Sequence, residues 1–246
     1  MKFSVIVPTY NESGCIAICL ESIRGQDFPR AQFEIIVSDS SSTDGTAEIA
    51  KPLADRVVIT EKRGIAHGRN YGAQHAAGDI LAFADADVML DKNFLKEMET
   101  AFQEKGVVGV TGIGLPGDGG LFQRAVYRGT YLLVRLFDFF GMPFYPGLCV
   151  AYRKDAFERI NGFREDFGIV EDLDLTKRIS ELGKCKVRKT ATAMVSTRRI
   201  QKHALSTIGF HIYSDLRYLF TGRAAKVYPK VEELNSPLDL WRINKS

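Results

Sequence analysis

Long hydrophobic runs are missing from this chain: nowhere in its 246 residues do 18 apolar residues follow one another without a charge, so no segment reads as a membrane-spanning helix. A secretory leader is not apparent either, because Met1-Lys2 runs straight into a strand-like segment, and a soluble, intracellular protein is expected. Cysteine is scarce. The four at positions 15, 19, 149 and 185 have no CxxC spacing and are too few for a disulfide framework. Cys15 and Cys19 fall in the apolar phrase CIAIC and read as small core side chains. Proline is limited to 8 residues beside 22 glycines, with 45% hydrophobic and 26% charged residues, which excludes disordered, collagenous and low-complexity classes. One α/β domain of this length buries an adequate core without staples.

Net charge is only +3, but it is unevenly spread. Residues 184–246 carry 13 Lys+Arg against 4 Asp+Glu, about +9, whereas the preceding residues carry 20 against 26. Such a tail suits a phosphate-rich ligand or an anionic membrane surface as well as a merely solvated face. Nucleic acid is disfavoured, since no zinc finger, helix-turn-helix signature or aromatic-studded RNP-like strand is present.

In the first ninety residues short apolar runs alternate with helical patterns: FSVIVP, CIAICLESI, FEIIVS, DGTAEIAKPLA, RVVIT, RNYGAQHAA and DILAFA. This order predicts βαβ units and a mostly parallel, doubly wound sheet with helices on both faces. The runs at 3–8, 34–38 and 80–84 are nearly continuous rather than alternating, as expected of strands covered on both sides. Past residue 90 the pattern loosens into a helix near 92–105, a strand at 107–114 and an aromatic, Arg-bearing segment at 121–145. Three portions result: a regular half at 1–90, a less regular half at 91–200 and a basic helical tail at 201–246.

Ligands of such sheets bind beyond the carboxyl ends of the strands, and the residues there are polar. Pro8-Thr9-Tyr10-Asn11-Glu12 follows the first strand, and Asp39 with Ser40, Ser41, Ser42, Thr43 and Asp44 follows the second. The Ser and Thr residues are expected to cap a helix starting near Thr43 and Asp44. Asp39 precedes that cap and could accept an N–H from a nucleotide base. Asp85-Ala86-Asp87 ends the fourth strand, where extended backbone would point both carboxylates the same way toward a divalent ion and a diphosphate, or where a turn could carry them as capping acids. Glu171-Asp172 opens the helical pattern EDLDLTKRISELG. Placing residues at 100° intervals puts Leu175, Ile179 and Leu182 in one stripe, Glu171 and Asp172 on its borders, and Asp174, Lys177, Arg178 and Glu181 opposite. Arg198, Arg199, Lys202 and His203 are cations suited to phosphate oxygens, with His203 also a candidate metal ligand.

These motifs, in this order, resemble glycosyltransferase family 2, the inverting sugar-nucleotide transferases of GT-A fold. VIVPTYNE at 5–12, IIVSDSSSTDGT at 35–46, GRNYGAQHAAGDILAFADAD at 68–87 and INGFREDFGIVEDLDLTKRISELG at 160–183 carry the resemblance. It implies that Asp39 binds the base, that Pro8, Thr9, Tyr10 and Glu12 line the nucleotide pocket, and that Arg69, Asp85, Ala86 and Arg199 contact the donor. It further implies that Asp87 holds Mn²⁺ or Mg²⁺ and that Asp172 is the catalytic base. A UDP-sugar is favoured over a GDP-sugar, and the acceptor is a saccharide or a lipid-linked hydroxyl. Departures are Ser40 and Ser41 where the family has Asp and Gly, and Asn161 in place of the first Gly of GGF. The QxxRW motif of processive synthases is missing, which favours single-sugar transfer. The basic tail and segment 121–145 suggest peripheral contact with the inner face of a membrane. A non-catalytic nucleotide-sugar binder is the alternative. A dinucleotide oxidoreductase is disfavoured because no GxGxxG follows the first strand.

Overall fold

The computed structural model describes residues 2–117, 120–139, 145, 149–167, 170–196, 209 and 213–223. Its centre is an eight-stranded sheet of order β3-β2-β1-β4-β7-β6-β8-β5. The strands are β1 (Phe3–Thr9), β2 (Phe33–Asp39), β3 (Arg56–Ile59), β4 (Ile80–Ala84), β5 (Val88–Leu90), β6 (Val107–Pro116), β7 (Cys149–Arg153) and β8 (Lys184–Val195). β3, β2, β1 and β4 run parallel. β7 is antiparallel to β4 and β6, and β6 pairs in parallel with β8. The regular half and the looser half are thus one continuous sheet.

The helices are α1 (Ile16–Arg24), α2 (Thr46–Ala50), α3 (Ile65–Gln74), α4 (Phe94–Phe102), α5 (Leu121–Phe139), α6 (Lys154–Arg159) and α7 (Glu171–Ser180), and a further helix spans 213–221. The near-continuous apolar runs are explained by two separate cores. Phe3, Val5 and Val7 of β1 pack on one face with Ile16, Leu20 and Ile23 of α1. Ile6, pointing the other way, joins Ala66 and Ala73 of α3, Phe83 of β4, and Leu175 and Ile179 of α7. Each of these large side chains contributes roughly 1.5–3 kcal/mol by leaving water. α3 comes close enough to β1 that a Cβ on Gly72 would stand 2.5 Å from Ile6 Cγ2, so position 72 has room only for hydrogen.

Cys19 and Cys149 are buried core thiols, and burial pushes the pKa of each up. No helix among the described residues is long and apolar enough to cross a membrane. α5 nevertheless exposes Leu121, Phe122, Leu132 and Leu136 beside Arg124 and Arg128.

Candidate active site

The polar clusters meet at the carboxyl edge of β1, β2 and β4. Thr9 and Asp39 end their strands opposite each other in the β1–β2 register. Thr9 Oγ1 donates to Asp39 Oδ1 at 2.9 Å, and Ser42 donates its backbone N–H to Oδ2 at 2.8 Å and its hydroxyl to Oδ1 at 2.5 Å. Asp39 is only 1% exposed and is fixed by its own loop.

The loops after β1 and β2 are stitched together. Asn11 N–H donates to Ser42 Oγ and Thr43 N–H to Asn11 Oδ1, while the amides of Glu12 and Ser13 donate to Thr46 Oγ1 and Asp44 Oδ2. The expected capping of a helix at Thr43 and Asp44 is corrected by this arrangement. α2 begins at Thr46 behind Gly45, whose φ of 86° suits glycine, and it is the Asp44 carboxylate, not a Ser or Thr hydroxyl, that accepts the Thr46 N–H at 3.1 Å. The hydroxyls serve the loop and Asp39 instead. Tyr10, 37% exposed, stands at the rim with the Arg63 guanidinium 4.4 Å from its ring centroid.

Asp85-Ala86-Asp87 is a turn, not an extended strand end, because Val88 N–H donates to the Asp85 carbonyl at 3.1 Å. Ala86 belongs to the core, so its side chain is not available to a donor, while Asp85 and Asp87 both remain half-exposed. The backbone carbonyl of Asp87 accepts from Ser196 N–H, which anchors the end of β8 here. Hard carboxylate oxygens suit Mg²⁺ or Mn²⁺, and two of them leave coordination positions for phosphate oxygens and water. Among the described residues no group of three or more His, Cys, Asp or Glu side chains forms a metal cage. Arg199 and His203 lie outside the described residues.

Arg69 is a residue whose surroundings the motif does not convey. It sits on α3, 2% exposed, and donates from Nη2 to Asp85 Oδ1 at 3.0 Å and from Nη1 to Glu171 Oε1 at 2.9 Å. Its Cζ lies 5.2 Å from the centroid of the Phe163 ring. Burial works against its charge, but Asp85, Glu171 and Asp172 together push its pKa up. A sequence signal exists: Ala66, Arg69, Ala73 and Ala76 share the helical stripe that faces the sheet, so a charge at 69 had to be buried and paired.

Glu171 and Asp172 open α7, where helix N-terminal amides favour negative charge. Glu171 is buried, and burial and the charge of Asp172 push its pKa up, against the pull of Arg69. Asp172 is half-exposed, and its Oδ1 accepts Leu173 N–H at 2.8 Å. The placement of Asp174 on the outer face is corrected: it is 1% exposed. Arg178 reaches it at 2.7 Å, Arg164 at 3.3 Å and the Tyr218 hydroxyl at 2.9 Å. The apolar stripe alone did not reveal this, because the cover comes from the loop before α7 and from the helix at 213–221. That helix also holds Asp215, whose pKa is raised to about 7 by burial and then by Asp172.

Asn161, with φ of 57°, and Gly162, with φ of 62°, form a left-handed pair, and Asn70 clamps the following Phe163 through its N–H and carbonyl. Asparagine tolerates this conformation, so the turn keeps its shape without the usual first glycine.

A mixed sheet of this order, with acids gathered at the ends of β2 and β4 and at the head of α7, defines a GT-A fold. Residues 4–160 match the model of glycosyl transferase family 2, and the chain belongs to that family. It is 28% identical over 195 residues to glycosyltransferase AglE of Haloferax volcanii, covering 73% of this chain and 62% of that protein. It is 35% identical over 129 residues to the poly(ribitol-phosphate) β-N-acetylglucosaminyltransferase TarS of Staphylococcus aureus, covering 47% of this chain and 22% of that one. The chain therefore spans less than two thirds of the length of these relatives. Among solved structures, the mannosyltransferase PcManGT of Pyrobaculum calidifontis, in complex with GDP-Man and Mn²⁺, superposes with a TM-score of 0.75 at 26% identity, covering 94% of this chain and 67% of that one. TarS residues 1–349 with UDP-GlcNAc superpose with a TM-score of 0.61 at 26% identity, covering 80% and 58%.

Proposed function

We propose that this chain is a metal-dependent, inverting glycosyltransferase that moves one sugar from a nucleotide-sugar donor to an acceptor hydroxyl. The observation that carries the reading is the placement of Asp172 beside Glu171, which Arg69 links directly to Asp85 at the donor edge. One guanidinium thereby joins an acid at the head of α7 to an acid at the end of β4.

Donor binding falls to the stitched loops, with Asp39 at the base end, Thr9 holding it, and Pro8, Tyr10 and Glu12 around the nucleotide. Asp87, helped by Asp85 and with His203 as a further candidate, would hold Mn²⁺ or Mg²⁺, and Arg199 would pair with the diphosphate. When bound, that ion offsets charge on the departing nucleoside diphosphate. In the transfer, an acceptor oxygen forms a bond to the anomeric carbon as the bond from that carbon to the phosphate oxygen breaks, and the acceptor proton passes to Asp172. A single displacement from the opposite face inverts the anomeric centre. The donor is a UDP- or GDP-sugar: similar chains have been captured with GDP-Man and with UDP-GlcNAc.

A lipid-linked acceptor is the finer reading, with peripheral contact at the inner face of a membrane. It is supported by the apolar, Arg-flanked outer face of α5. The direct test is turnover of UDP- and GDP-sugars with Mn²⁺ against saccharide and polyprenyl-phosphate acceptors, reading nucleoside diphosphate release and product anomer. Tight nucleotide binding without release under any acceptor would leave a binding protein of the same fold.

A further inference from the structure

Arg69 contacts both sides of the site, and its chemistry distinguishes it from a donor-binding arginine. The guanidinium is almost wholly enclosed, and its two terminal nitrogens point at carboxylates from different parts of the chain, Asp85 at the end of β4 and Glu171 at the head of α7. Phe163 packs against the guanidinium, and Asn70, the next residue of α3, grips Phe163 by its backbone. Resting on the transferase reading above, we infer that Arg69 is a positioning residue: it fixes the distance between the donor-side carboxylates and Asp172, and does not itself bind the donor.

A planar fork holds two carboxylates in a fixed relation, which a single flexible ammonium cannot do. Displacement at the anomeric carbon requires base, acceptor oxygen and leaving oxygen in line, and a misplacement of about 1 Å costs on the order of 10²-fold in rate. Glu171 transmits the constraint to Asp172 through one peptide unit, while Asp85 transmits it to Asp87 through one tight turn. The bridge therefore bears on the chemical step, while the nucleotide is still held by the β1 and β2 loops and by the ion at Asp87.

The test uses the full chain with Arg69→Lys, Glu171→Gln and the double variant. Arg69→Lys should lower kcat roughly 10- to 100-fold. Donor KM, and the Kd values of UDP and GDP with Mn²⁺ measured by calorimetry, should stay within about threefold of the parent. The double variant should be no worse than Arg69→Lys alone by more than about threefold, because both substitutions weaken one bridge, the first by losing the fork and the second by losing the carboxylate charge. A loss expressed in KM or in nucleotide Kd, or additive losses in the double variant, would overturn the assignment. If Arg69→Lys does not fold, Glu171→Gln carries the same KM-against-kcat comparison. Should the parent chain turn over no nucleotide sugar, the transferase reading fails, and the bridge is then read by hydrogen exchange. Arg69→Lys or Glu171→Gln should speed exchange of the amides of 171–176 about tenfold or more with nucleotide affinity unchanged, and unaltered exchange would overturn the bridge.

Discussion

The Tyr218 hydroxyl donates to Asp174 Oδ1 at 2.9 Å, joining the helix at 213–221 to α7 across 44 residues of sequence. Tyr218 also stacks edge-on against Phe167 at 5.7 Å and closes a small cluster with Val170 and Leu173. The head of α7, which bears Asp172, is thus held from one side by Arg69 and from the other by this later helix.

Asp174 is accordingly a stability residue. Asp174→Ala removes the partner of Arg178, Arg164 and Tyr218 at a site that is 1% exposed, and should cost about 3–5 kcal/mol. Tyr218→Phe loses one hydrogen bond to a charged group and should cost about 1.5–3 kcal/mol. Urea unfolding at pH 7 measures both. Equal losses in the two variants would mean that the arginines contribute nothing through Asp174.

Metal dependence is expected to reside at the end of β4. Asp87→Ala should abolish the Mn²⁺-dependent part of UDP and GDP binding while the unfolding midpoint moves little, because the side chain lies at the edge of the sheet. Calorimetry with and without EDTA checks this. Full nucleotide affinity in the variant, or in excess chelator, would remove the ion from donor binding.

The pH dependence of stability is expected to reflect Asp215, which keeps its proton up to about pH 7 in the fold, against 3.8 for an ordinary aspartate. In that window the native state binds more protons than the unfolded chain, so this contribution is fullest below the ordinary carboxylate range and is lost as pH rises through the folded value. Asp215→Asn cannot ionise, and should flatten the decline between about pH 4 and 8 and gain on the parent at the alkaline end. Denaturant midpoints across that range decide it, and parallel curves for parent and variant would show that Asp215 is ionised in the native state throughout.

The strands and the polar edge were legible because burial on both faces leaves continuous apolar runs, and because the ligand edge of such a sheet cannot be apolar. Asp39, Asp85, Asp87 and Asp172 stood out as acids after or beside apolar segments. What the pattern did not disclose depends on partners distant in sequence. Asp174 looks solvated on an isolated helix and is covered by Arg164 and Tyr218, which come from outside that helix. The DAD phrase looks extended until the bond from Val88 N–H to the Asp85 carbonyl is seen. Hydroxyls after β2 look like helix caps because Ser and Thr commonly are, but Ser42 gives both its hydroxyl and its N–H to the buried Asp39.

Asp172 is the proposed base, and its role is tested most directly by the pair of kcat and nucleotide Kd for Asp172→Asn, with Glu181→Gln at the exposed far end of the same helical segment as the control. A positioned base contributes on the order of 10²–10⁴ in rate. Asp172→Asn should lose that much in kcat with UDP and GDP affinity in Mn²⁺ within about threefold of the parent, and Glu181→Gln should keep near-parental kinetics. Parental kcat in Asp172→Asn, or a loss that appears mainly as weakened nucleotide binding, would contradict that role.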